Sequence, residues 1–175
     1  MNGSLVVLYL FLNALGIPPD IKEFNNRKAI QKAIYLAQRL KLNGGEKLDL
    51  GYRFGWYTNG PYSPALSDDY YGLAESLRFE ETEHEEKILK GPFLDRLTEA
   101  NRFFKVPVSL EQKGVKLGDW LELLASIDYL VTVGHIDQDN SEEIKQILTK
   151  EGKGHLLDHF PEAVRTLKEM GLWEA

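Results

Sequence analysis

Three groups of residues have the types and spacing to do chemistry. His155 and His159 stand four apart with Asp158 beside them. On an α-helix that spacing would bring both imidazoles to one face, the arrangement a zinc site uses. The glycines at 152 and 154 and Pro161 place this segment at a junction between helices instead, and no glutamate occupies the general-base position of a zinc-protease motif. Ser63 and Ser67 could serve as nucleophiles, but neither has the flanking glycines of a nucleophile elbow. The carboxylates of Asp68 and Asp69 fall in a first helical turn, where the helix dipole favours them without any catalytic role. Gly44-Gly45 lacks the lysine and hydroxyl that complete a phosphate-binding loop. With no cysteine in the chain, disulfides, iron–sulfur clusters and thiol catalysis are excluded together. The expectation is a protein without enzymatic activity, metal or other cofactor.

The remaining group is aromatic. Tyr52, Phe54, Trp56, Tyr57, Tyr62, Tyr70 and Tyr71 lie close together around Thr58-Asn59-Gly60-Pro61-Tyr62-Ser63-Pro64. Rings attached to a rigid Gly-Pro turn form either a dense local core or a preorganised binding face. Phe54 and Trp56 read as core, whereas Tyr57 and Tyr62 suit either role.

Helical elements must position these residues. Ser4 to Leu15 is apolar, too short to span a bilayer and free of the basic residues that precede a signal sequence. It reads as a buried helix ended by Gly16 and Pro18-Pro19. A second helix follows Asn25-Asn26, either of which can cap it. Ile30, Ala33, Ile34, Ala37 and Leu40 form its apolar face, and Arg27, Lys28, Lys32 and Arg39 fall mostly elsewhere. It therefore reads as amphipathic and basic, ending at Gly44-Gly45. Residues 50–57 read as an extended segment. Ser63 then caps a third helix, with Pro64 in its first turn. An acidic stretch covers 80–86, and 87–90 can pair as a strand. Further helices are expected over 94–104, from Gly118-Asp119 through Val131, over 142–149 behind Asp139-Asn140-Ser141, and from Pro161 to Gly171. The fold class is mainly α: one compact helical domain over 1–175 with a short β-element, and a winged-helix-like arrangement as its variant.

Charge is uneven. The chain carries −6 overall, but residues 1–60 hold eight Lys/Arg against four Asp/Glu, while 61–175 hold thirteen against twenty-three. A basic first third can meet an acidic partner or nucleic acid, or simply solvate helix faces.

Two motifs resemble a known family. Arg27-Lys28-Ala29-Ile30-Gln31-Lys32-Ala33-Ile34-Tyr35-Leu36-Ala37-Gln38 resembles the glutamine-lysine helix of SocA-like proteins, the Panacea antitoxin-type, phage-associated domains. Phe54-Gly55-Trp56-Tyr57-Thr58-Asn59-Gly60-Pro61-Tyr62-Ser63-Pro64-Ala65-Leu66 resembles their tyrosine and glycine-proline-tyrosine-serine segment. The YwgA-type branch is most similar, with further likeness at Trp120–Ile127 and Phe160–Val164. The resemblance implies a mainly helical fold and a non-catalytic module that neutralises or presents a partner protein, such as a cognate toxin or defence-system component; the absence of cysteine fits the cytoplasmic location expected for it. Lys28, Lys32, Tyr57, Asn59, Tyr62 and Asp69 are the residues expected near that partner face, with charge setting specificity. The alternative is a winged-helix-like DNA-binding regulator, its basic second helix reading DNA and its wing in 80–90. The acidity of that wing opposes phosphate binding, and no membrane partner is expected.

If Ser63 caps a helix, Ser63→Ala should cost about 1 kcal/mol. A urea denaturation midpoint and slope identical to the wild type would show that Ser63 caps nothing.

Overall fold

A computed structural model describes residues 3–41, 47–78 and 92–175. The sequence features at Gly44-Gly45 and within 79–91, including the acidic stretch and the wing candidate, lie outside them. Among the described residues the chain is mainly helical, with one two-stranded sheet. The helices are α1 (Gly3–Leu15), α2 (Phe24–Arg39), α3 (Pro64–Ser76), α4 (Pro92–Ala100), the short α5 (Val108–Glu111), α6 (Leu117–Thr132), α7 (Ser141–Lys150) and α8 (Phe160–Glu169). Single 3-10 segments cover Asn101–Phe104 and Gly154–His159. No helix among the described residues is long and apolar enough to cross a membrane.

Helices α2 and α6 form the centre. Every residue from Lys28 to Ala37 is buried, as is every residue from Trp120 to Asp128. The apolar face of α2 is covered as its pattern predicts. Its polar side is covered as well, which corrects the expectation of a solvent-facing basic helix. Residues 28, 32, 35 and 39 follow one another at helical spacing and meet α6 or the segments packed beside it. Lys28 Nζ lies 2.6 Å from Asp119 and 3.1 Å from Glu122. Asp128, with no solvent exposure, accepts from the Tyr35 hydroxyl at 2.8 Å, from Arg39 Nε at 2.8 Å and from the Trp173 indole N–H at 3.2 Å. Position 28 pairs near the start of α6 and position 39 near its end, so the two helices run in the same direction.

The β-element is a hairpin of β1 (Gly55–Tyr57) and β2 (Gly60–Tyr62), paired antiparallel with Gly55 opposite Tyr62 and Tyr57 opposite Gly60. Of the extended segment expected over 50–57 only the last three residues pair as a strand, and three of the seven residues of the proposed turn form its partner. Thr58 and Asn59 keep negative φ while Gly60 takes φ +83°, a turn that closes on a left-handed glycine. A Cβ at Gly60 would also collide with the Ser126 hydroxyl on α6, so glycine lets the hairpin lie against that helix.

Two glutamines of α2, seven residues apart, hold the hairpin at both ends. Gln31 accepts from Ser63 N and donates to Ser63 O, both at 2.9 Å. Gln38 accepts from Leu50 N at 3.2 Å and Tyr52 N at 3.1 Å, and donates to Tyr52 O at 3.0 Å. Each side-chain amide supplies the pairing that a neighbouring strand would supply. The Ser63 hydroxyl accepts from Leu66 N at 3.3 Å and Pro64 opens α3, as the sequence indicates.

Other boundaries shift. Helix α1 begins at Gly3, before Ser4. Helix α2 begins at Phe24, behind an extended Glu23 that makes no side-chain cap. Asn25 and Asn26 therefore lie inside the helix, and Asn25 accepts from Gly118 N at 2.9 Å instead, tying the start of α2 to α6. The helix expected over 94–104 is α4 followed by a 3-10 turn. Asn140 caps α7 by accepting from Glu143 N.

Asp128 gathers donors from α2 and from the last residues of the chain. Asp128→Asn should therefore destabilise the fold by about 3 kcal/mol, the lower end for a broken buried pair because Arg39 keeps some solvent contact. An unchanged urea midpoint would remove Asp128 as a structural node.

Candidate functional site

Five of the six residues singled out from the sequence meet where α2, the hairpin and α3 converge. Lys28, Lys32, Asn59 and Tyr62 line a cavity of about 260 Å³, together with Phe24, Arg27, Gln31, Ser67, Tyr70 and Tyr71. A second hollow of about 210 Å³ adjoins it and is lined by Lys32, Tyr57, Thr58, Asn59 and Tyr62. Asp69 lines neither; its carboxylate accepts from the Tyr52 hydroxyl at 2.6 Å and ties α3 to the segment leading into β1.

The two lysines do not present their charge to solvent as the sequence suggested. Lys28 is 9% exposed and Lys32 1%. Burial alone lowers the pKa of Lys28, but its hydrogen bond to Asp119 and the charge of Glu122 outweigh that, and the net shift is upward. Lys32 has no carboxylate of its own. Its Nζ donates to Pro61 O at 2.6 Å, and burial brings its pKa down to about 7 despite the attraction of Glu122; Lys153 and Lys28 push the same way as burial. Lys153, at 2% exposure, donates to Thr58 O at 2.5 Å and reaches Glu122 at 3.5 Å. Three ammonium groups thus surround one buried carboxylate under the hairpin, and two of them hold the hairpin's backbone carbonyls.

The aromatic group divides between core and rim. Phe54 packs edge-on to Tyr35 at 5.4 Å and Trp56 lies 5.6 Å from Tyr129, so both brace the hairpin against α2 and α6, partly buried against the core and not within it as the sequence suggested. Tyr57 is 50% exposed, with Tyr62 edge-on beneath it at 5.1 Å. Tyr71 and Phe24 are about half exposed on the other sides of the cavity. Arg27 and Lys28 each lie 5.7 Å from the centre of the Phe24 ring.

Several participants were not legible as such. Gln31 sits in the motif helix, but its role depends on a backbone 32 residues away. Glu122 and Lys153 come from distant parts of the chain, and no local pattern links them to Lys28. Phe24 and Tyr71 become rim residues only because α2 and α3 converge.

His155 and His159 lie on the 3-10 segment. With three residues per turn, positions four apart no longer share a face. No group of three or more potential ligands that could hold a metal ion occurs among the described residues. A separate hollow of about 600 Å³ between the 100–108 segment, α6 and α8 contains none of the residues expected at a site.

No protein-family model matches the chain, and neither does any curated protein or solved structure.

The depressed pKa of Lys32 makes stability depend on pH. Between pH 7 and about 10.5 the unfolded chain holds a proton on this amine that the folded chain has released, so stability rises with pH over that window. Below pH 7 both states are protonated and the cost of burying the charge is fully present. Lys32→Met should therefore gain stability relative to wild type at pH 6, with the difference moving in favour of wild type by pH 9.5. A difference independent of pH in paired urea denaturations would mean that Lys32 remains charged in the fold.

Proposed function

We propose that this chain is a non-catalytic protein-binding module of the antitoxin or phage-defence type, working in the cytoplasm by covering a partner's working surface. The observation that carries this reading is the ring of half-exposed aromatics, Phe24, Tyr57 and Tyr71, around cavities in a rigidly braced corner. Large aromatic side chains fixed in place before binding lose little entropy on association, and such anchors dominate interface energetics. The bracing is explicit: Gln31 and Gln38 hold both ends of the hairpin, and Lys32 and Lys153 hold carbonyls within it. The motif resemblance at 27–38 and 54–66 points the same way.

The charges bear on the nucleic-acid alternative. A DNA-reading helix needs its cations at the surface to meet phosphates. Lys28 and Lys32, which gave α2 its basic appearance, are buried, and Arg39 is paired with Asp128. This favours a protein partner over a phosphate backbone.

Tyr57→Ala should weaken partner capture by about 2 kcal/mol, roughly 30-fold, with the fold intact because Tyr57 is exposed. The measurement is affinity capture of the product of a neighbouring gene by wild type, Tyr57→Ala and Tyr62→Ala, with circular dichroism of each. Equal retention by two folded variants would take the aromatic corner out of the mechanism. Tight, salt-sensitive binding of one DNA sequence with no protein partner would replace this reading by the regulatory one.

A further inference from the structure

The charges beneath the hairpin do not balance. Lys28, Lys32 and Lys153 are all 9% exposed or less, and the carboxylates within reach of them are Asp119 and Glu122. Lys28 engages both, and Lys153 shares Glu122. Lys32 is left over. An ammonium has three N–H donors, and the described residues offer Lys32 one acceptor, Pro61 O. When Lys32 carries its proton, two of its donors thus lack an acceptor among the described residues, a costly state that an anion in the cavity would relieve. Arg27, at the same cavity, donates only to the backbone carbonyls of Ile21 and Lys22, at 2.7 and 3.1 Å. Among the described residues no aspartate or glutamate lines the cavity, although the chain as a whole is acidic.

Walls and size narrow the occupant further. Tyr62, Tyr70, Tyr71 and Phe24 offer ring faces and edges, while Asn59 and Ser67 offer hydrogen bonds. A dry cavity of about 150 Å³ accepts a benzene ring, and sites for drug-sized ligands begin at about 300 Å³. The observed 260 Å³ lies between them. Of the three buried lysines, Lys32 is the one whose protonated form has no carboxylate of its own, which calls for a single anionic group, and the volume allows a single ring or a short chain.

We propose that the corner cavity is a binding site for a small monocarboxylate, its carboxylate paired with Lys32 in the field of Arg27 and its apolar body held among the tyrosine rings. The site needs no protein partner, so it goes beyond the protein-binding reading and stands or falls separately from it.

The test is a nuclear magnetic resonance titration of the purified full chain. Benzoate and hexanoate serve as probes, benzyl alcohol as the ring without charge, and inorganic phosphate as the charge without a body. At least one carboxylate probe should give saturable shifts of the Asn59 and Gln31 side-chain amides, about tenfold or more tighter than either control, the scale of one charge-assisted hydrogen bond. Lys32→Met should abolish the preference for benzoate over benzyl alcohol. Arg27→Gln, whose side chain is only partly buried, should reduce carboxylate affinity several-fold while keeping the fold. If Lys32→Met does not fold, the wild-type comparison of charged and neutral probes and the Arg27→Gln variant decide. No saturable shift with either carboxylate overturns the proposal, as does equal binding of benzyl alcohol or of phosphate. Carboxylate binding that is unchanged in a folded Lys32→Met also overturns it.

Discussion

Helix α2 lies in the interior, and from Lys28 onward it carries six side chains hydrogen-bonded to other segments: Lys28, Gln31, Lys32, Tyr35, Gln38 and Arg39. A buried polar group without a partner is costly, so each of these side chains dictates where some other segment must go. Lys28 and Arg39 fix α6 in register through Glu122 and Asp128. The two glutamines fix the chain entering and leaving the hairpin, and Lys32 fixes the hairpin's proline carbonyl. The apolar contacts of α2 supply burial, but they are tolerant of small shifts. The polar contacts are not, because a hydrogen bond weakens steeply once its geometry is lost.

This division explains why the corner can be both aromatic and rigid. Short two-stranded hairpins are marginal in water by themselves. Here the hairpin is held at both ends by side-chain amides and from beneath by Lys32 and Lys153, while Phe54 and Trp56 fill the space on the core side. Tyr57 is free to stand in solvent because none of these attachments uses it. Gly60 completes the arrangement by taking the left-handed conformation of the turn and leaving room for the Ser126 hydroxyl of α6, which a Cβ there would displace.

Local signals were readable in the sequence where they depend on neighbours along the chain. The cap of α3 by Ser63, the proline in its first turn and the largely apolar, buried character of α6 each rest on a few consecutive residues, and each is present. The polar face of α2 was misread because a periodic basic stripe looks the same whether water or a carboxylate-bearing helix covers it. The answer lay at Asp119, Glu122 and Asp128, about ninety residues later. Asn25 misled for a related reason: a residue suited to capping its own helix accepts instead from the first turn of another. At 155–159 the spacing of the histidines was plain, but whether it meant one face or two depended on the helix being α or 3-10.

That separation along the chain also has a temporal side. The hairpin and the glutamines that clamp it lie between residues 31 and 63, so they leave the ribosome together. Asp128 follows some sixty-five residues later, about 3 to 13 s at 5–20 residues per second. Until Asp119 and Glu122 emerge, shortly before Asp128, Lys28 and Arg39 have none of their α6 carboxylates available and remain hydrated cations. The nascent chain therefore passes through a period in which this region has the basic surface that its sequence suggests, and it loses that surface when α6 arrives.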